Sequence, residues 1–205
     1  MSKSVPLVIL LLATLAQGSY GRVRPLRSTA KTSGVAAPAS QAASANTQLV
    51  LQQSTLTYHV SHPLHQTDGV SHTARGKGIC HAGQCEFLIA VPVKSFDSGD
   101  SNRDLHMVQV TRGAEFPMVT VRTRLPESTA NDVTIHADLE IQFAGQTAHY
   151  QQVAFQLTKQ GNDSKISGTI PATLADFKID PPTLLTLPVK NEIPIKVEMT
   201  WHQAQ

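Results

Sequence analysis

Over residues 133–143 the side chains alternate without a break. Val133, Ile135, Ala137, Leu139, Ile141 and Phe143 fall on one parity, and Thr134, His136, Asp138, Glu140 and Gln142 on the other. A period of two over that length belongs to a β-strand with one face in an apolar interior and the other in water. The pattern recurs as Val119/Val121/Leu125 against Thr120/Arg122/Arg124, and as Val153/Phe155/Leu157 against Gln152/Gln156/Thr158. It returns in Ile193/Ile195/Val197/Met199/Trp201 against Lys196/Glu198/Thr200. Further strands are expected at 55–62, 70–79, 86–93 and 165–172, separated by Asp68-Gly69, Ala144-Gly145 and Gly161-Asn162-Asp163. About eight antiparallel strands curl into a closed barrel, which removes exposed edges and leaves room inside for side chains or one small ligand. The fold class is therefore all-β, an eight-stranded antiparallel barrel. A two-sheet sandwich is the rival, with strands shorter than these as its usual elements. The charged outward faces argue against a barrel set in an outer membrane.

Two places depart from the alternation. Pro194 lies on the outward parity of the last strand, a position compatible with an edge, an end or a bulge. In Asp100-Ser101-Asn102-Arg103-Asp104 a Ser stands three residues ahead of an acid, as at a helix N-cap, and Leu105, Met107 and Val108 follow before Gly113. One short helix near 101–109 is expected across a barrel opening.

The start of the chain has a different character. Lys3 precedes an apolar run over 5–16, and Ala16-Gln17-Gly18 supplies the small-x-small pattern of a signal-peptidase site. Residues 1–18 read as a secretory signal peptide, with a cut after Gly21 as the alternative. The run is shorter than the roughly 20 residues of a spanning helix, so the chain is not expected to span a membrane. Residues 19–47, rich in Ala, Ser and Thr with two prolines, read as a flexible linker ahead of a domain at 48–205. A basic arm touching anionic lipid is the other reading of that segment. Residues 1–47 hold five of the 17 bases and none of the 15 acids, leaving 12 bases against 15 acids in the domain. The calculated pI of 8.6 therefore marks no nucleic-acid footprint, and no nucleic-acid partner is expected. Location is read as periplasmic or secreted.

Ser95-Phe96-Asp97-Ser98-Gly99-Asp100-Ser101-Asn102-Arg103-Asp104-Leu105-His106-Met107 resembles the signature of the YceI-like family of exported lipid-binding proteins. There a strand ends in a small-residue turn and Arg-Asp-x-His opens a helix. Glu115-Phe116-Pro117, Ala137-Asp138-Leu139-Glu140-Ile141 with Gly145-Gln146-Thr147, Val60-Ser61-His62, and Asp176-Phe177-Lys178-Ile179 are similar to further family motifs. In the last of these, Lys178 stands where the family has Gly. A second departure is the short Cys80–Cys85 connection where a long hairpin is usual. The resemblance covers 48–205 and implies a lipocalin-like barrel that holds a polyisoprenoid or similar long amphiphile, an isoprenoid- and lipid-binding function without catalysis.

On that reading the inward parities nominate Leu56, Tyr58, Val60, Leu139, Ile141, Phe143, Phe155, Val197, Met199 and Trp201 as ligand-lining residues. Arg103, Asp104 and His106 are nominated either as a clamp on a turn or as contacts for a ligand's polar head at the barrel mouth. No catalytic residue and no cofactor are expected beyond a bound polyisoprenoid or fatty lipid, because no nucleophile motif accompanies His106. Cys80 and Cys85 suit a disulfide across a hairpin in an oxidising compartment. His59, His62, His65, His72 and His81 raise a periplasmic metal binder as an alternative. No metal is assigned, because His59 and His62 point to opposite strand faces. The remaining alternative is a ligand-free structural or stress-response module. The partner is read as a lipophilic small molecule, with a homodimer left open.

Overall fold

The computed structural model describes residues 46–204 with the exception of Leu185. The signal peptide expected at 1–18 and the linker expected from residue 19, as far as residue 45, lie outside the described residues. Thr47, expected at the end of the linker, is instead the first residue of a strand.

The strands in chain order are β1 (Thr47–His62), β2 (His65–Ser71), β3 (Arg75–His81), β4 (Gln84–Pro92), β5 (Met118–Pro126), β6 (Thr134–Phe143), β7 (Gln146–Gln160) and β8 (Asp163–Ile170). A two-stranded ribbon of β9 (Thr183–Leu184) and β10 (Leu187–Pro188) follows, then β11 (Ile195–Ala204). Helix α1 (Ser101–Val110) lies between β4 and β5. Each strand of the large sheet pairs antiparallel with its neighbour, and β1 closes the circle by pairing with β11, Gln48 opposite Ala204 and Tyr58 opposite Ile195. The strands β2 and β3 share one place in that circle. The first pairs with the second half of β1, from Leu56 opposite Ser71 to His62 opposite His65, and the second with Thr47–Val50. A closed eight-place antiparallel barrel with one helix results.

Local chemistry sets the corners. Ala82 and Gly83 both have positive φ between His81 and Gln84, as do Ala144 and Gly145 between Phe143 and Gln146. Two left-handed residues in a row give the tight turn whose twist matches a hairpin. Helix α1 is capped by Asp100, whose carboxylate accepts from the backbone N–H groups of Asn102 at 2.9 Å and Arg103 at 3.0 Å. The cap is thus one residue earlier than the expected Ser101, which is instead the first residue of the helix. Pro194 stands just ahead of β11, and its carbonyl accepts from His59 N–H at 3.1 Å.

Two bulges shape the wall. Between Leu51 and Gln53 the register of β1 against β11 slips by one residue, so Leu49 and Leu51 face inward on odd numbers, and Leu56, Tyr58 and Val60 on even ones. In β7 a slip opposite Asp138 does the same: Ala148 and Tyr150 precede it, and Val153, Phe155 and Leu157 follow. Gln152 has φ 53° there, and Asp138 Oδ1 accepts from its backbone N–H at 2.8 Å. The inward stripes meet as one apolar core that includes Ile135, Leu139, Ile141, Val153, Phe155, Val197 and Trp201, the last 2 % exposed. The outward stripes carry surface ion pairs such as Arg124–Glu86 at 2.8 Å and Lys196–Glu198 at 2.7 Å.

Candidate functional site

The apolar interior is not filled. A cavity of about 520 Å³ runs through the barrel, and its lining reaches both ends. That volume falls in the range of small-molecule sites. At one end the wall includes Phe96, Met107 and Thr111 from the α1 region, with Thr173 and Phe177 from the β8–β11 connection. At the other end stand the Cys80–Cys85 disulfide and the 3-10 turn Glu127–Asn131. These are called the helix end and the disulfide end below.

Aromatic side chains form much of the wall, and glycines make the room they occupy. Tyr58 lies against Gly69, Phe87 against Gly78, Phe155 against Gly168 and Trp201 against Gly76. The first three pairs are direct cross-strand partners. A Cβ at Gly78 would come within 2.6 Å of Phe87, and one at Gly76 within 2.6 Å of Trp201. Phe87 meets Trp201 edge-on at 5.2 Å, and Phe143 meets Phe177 in the same way at 5.3 Å. Such edge-to-face contacts are a favoured aromatic geometry.

All ten residues nominated from the inward parities, Leu56, Tyr58, Val60, Leu139, Ile141, Phe143, Phe155, Val197, Met199 and Trp201, line this cavity. Arg103, Asp104 and His106 stand outside the lining, which α1 reaches only through Met107. The Arg103 guanidinium donates to Ser98 Oγ at 2.9 Å and to the Ser98 carbonyl at 2.7 Å. Ser98 in turn donates its N–H to Asp104 Oδ1 at 3.1 Å. These bonds tie the turn before the helix to its first turn. His106 is exposed.

A family model for the YceI-like domain matches residues 47–201. The chain belongs to the YceI-like family. Among solved structures, this YceI-like chain is similar to a polyisoprenoid binding domain from Saccharophagus degradans implicated in plant cell wall breakdown. The identity is 13%, the TM-score 0.61, and the match covers 76% of this chain and 98% of that one. It is also similar to BcnA from Burkholderia cenocepacia, with 15% identity and a TM-score of 0.60 over 72% of this chain and 95% of that one. At these identities the likeness is one of fold. No curated protein matches.

Within this YceI-like barrel, three features escaped the sequence reading. The first is a polar collar at the disulfide end, where Thr47, Lys159, Ser164 and Gln203 line the cavity. The signal was present: Lys159 continues the Val153/Phe155/Leu157 stripe, and Gln203 continues Val197/Met199/Trp201. The second is Thr123 Oγ1, a buried hydroxyl on the lining with no hydrogen-bond partner among the described residues. The third lies at the helix end, where Tyr150 donates its hydroxyl to Asp176 Oδ2 at 2.7 Å and the Thr173 N–H reaches the same oxygen at 2.9 Å. Burial, then the Asp176 hydrogen bond, pushes the Tyr150 phenol well above its ordinary value. Burial opposes ionisation of Asp176, but the bonds from Tyr150 and Thr173 outweigh it and hold the carboxyl below its ordinary value. This clamp fixes the segment that carries Phe177.

The disulfide pairs Cys80 and Cys85, directly opposed on β3 and β4. The rings of His62 and His65 pack against each other at 5.0 Å. His62 accepts from Leu64 N–H at 3.2 Å and donates to the Leu187 carbonyl at 3.1 Å, while His59 bonds Asp68 at 2.6 Å and His202 bonds Asp163 at 2.7 Å. Among the described residues, no three His, Cys, Asp or Glu side chains form a group that could hold a metal ion. Nor is any described helix long and apolar enough to cross a membrane.

Proposed function

We propose that this YceI-like protein is an exported carrier that holds a polyisoprenoid or other long-chain amphiphile inside the barrel, without chemical turnover. The observation that carries the reading is the cavity of about 520 Å³ with its largely aliphatic and aromatic wall. Burying apolar ligand surface against such a wall contributes about 25 cal/mol per Å², before the costs of ordering the chain. The fold shared with a polyisoprenoid binding domain supports the same reading. Export is supported by the signal-like residues 1–18 and by the disulfide, which persists in an oxidising compartment.

Lipid extracted from purified protein and identified by mass spectrometry tests the proposal, together with quenching of Trp201 emission as amphiphiles of increasing chain length are added. Co-purified long-chain lipid and chain-length-dependent quenching are expected. Replacing the inward Ile141 with Lys should abolish lipid retention, and the outward Glu140→Gln should leave it intact. Protein free of lipid, with Trp201 indifferent to chain length, would overturn the reading.

A further inference from the structure

The two ends of the cavity differ in chemistry. At the helix end the lining is formed by Phe96, Met107, Phe143 and Phe177 beside Thr111 and Thr173, with no charged side chain among the described residues there. At the disulfide end it opens on side chains that reach water, among them Glu127, Asn131, Lys159 and Gln203.

The strand register joins this polar end into one rim. Lys159 on β7 lies opposite Ser164 on β8, and Ser164 lies opposite Trp201 on β11. Two residues on, Gln203 faces Leu49 of β1, and Thr47 faces Cys80, the partner of Cys85. Lys159 is the one cation among the described residues of the cavity lining. Its side chain takes part in none of the ion pairs among the described residues. A lysine at the end of an inward stripe has its methylene stem along apolar wall and its ammonium at the water boundary. The head of an amphiphile whose chain fills the barrel would lie at that same boundary.

Resting on the carrier reading above, we infer that the amphiphile lies with its methyl end against Phe177 and Met107 and its head at the disulfide end. The head is anionic, a carboxylate or a phosphate, and Lys159 recognises it. The mouth is thus at the opposite end from α1, and Arg103, Asp104 and His106 have no contact with the ligand. Glu127, the lining's other charged residue, opposes an anion and sets a limit on the preference.

Two measurements test this on the full exported protein. The first compares dissociation constants for palmitate, hexadecyl phosphate, hexadecanol and hexadecylamine. Either anion should bind roughly fivefold tighter than the alcohol, the effect of one partly exposed charge pair. Lys159→Ala should erase that difference without changing hexadecanol affinity, Lys159→Glu should favour the amine, and Glu127→Gln should tighten the anions. The outward Lys165→Ala should change nothing. Palmitate bound best would point to a fatty-acid head, and hexadecyl phosphate bound best to a lipid phosphate; both support the inference. The second measurement uses palmitate with a photoreactive diazirine beside the carboxylate or at the methyl end, and maps the labelled peptides. The head label should fall on residues 126–131 and 159–164, and the tail label on 101–111 and 172–179. Reversed labelling, or anion preference that survives Lys159→Ala, would overturn the inference and leave the carrier reading standing. No retention of any of the four amphiphiles would overturn both.

Discussion

Thr123 and Asp176 show how single atoms bear on this barrel. The Thr123 hydroxyl is buried on the cavity wall without a partner among the described residues, and a buried hydroxyl left unsatisfied costs about 1–3 kcal/mol. A hydrocarbon chain passing it offers no acceptor. Thr123→Val should therefore stabilise the protein by about 1 kcal/mol in urea denaturation and tighten hexadecanol binding. Asp176 acts at the other end. Because its carboxyl is held below the ordinary 3.8, its share of stability is present above that value and is lost as pH falls through the depressed one. Asp176→Asn should cost about 1 kcal/mol near neutral pH, at the low end because the group is largely solvated, and the difference from wild type should shrink towards zero in strong acid. Denaturation midpoints at the two pH values check it. Of these residues the sequence made Asp176 visible as part of a family-like motif. The orphaned hydroxyl of Thr123 was not, since its surroundings depend on the two strands beside β5, with Phe87 of β4 and Leu139 of β6 opposite it.

At the scale of elements, the β3–β4 hairpin joins a tight turn to a disulfide between directly opposed residues. Closing so short a loop contributes roughly 2 kcal/mol in the chain-entropy model. Reduction, or the double change of Cys80 and Cys85 to Ser, should lower stability by about that amount, and without reductant neither thiol should be alkylated. The legibility of the elements follows their regularity. The alternation covers all of β6 because it is unbroken from Thr134 to Phe143, but it runs one residue too far, since Val133, expected inward, lies ahead of the strand and is exposed. β1 was seen only from residue 55, since the bulge near Gln53 switches its inward residues from odd to even numbers. The slip opposite Asp138 likewise hid the first part of β7. A period-two reading resets at each bulge, and nothing local in Gln52-Gln53 or Gln151-Gln152 announces one. The ten inward residues lie clear of both slips, and that is why they were found. The polar collar was missed because the stripes were followed only as far as they stayed apolar.

For the whole molecule, the barrel's interior volume and its stability are separable. Val121 on β5 lines open space opposite Ile141 on β6, so a larger side chain there finds room without displacing neighbours. Val121→Phe should reduce amphiphile capacity, read by Trp201 quenching, and hold or raise the thermal midpoint, contrary to the usual 1–3 kcal/mol cost of overpacking a filled core. Closure has a different consequence. The seam that completes the barrel joins the start of the domain to its end, Leu49 to Gln203 and Leu56 to Val197. Almost the whole domain must be searched through before that seam forms, which places folding in the slow range of topologies dominated by distant contacts. Until β11 arrives, β1 and β8 each present an open edge, and an open edge is a template for pairing with another chain. In a chain delivered N-terminus first, the latch is therefore the last of the barrel strands to arrive, and the seam stays unmade until β11 is present.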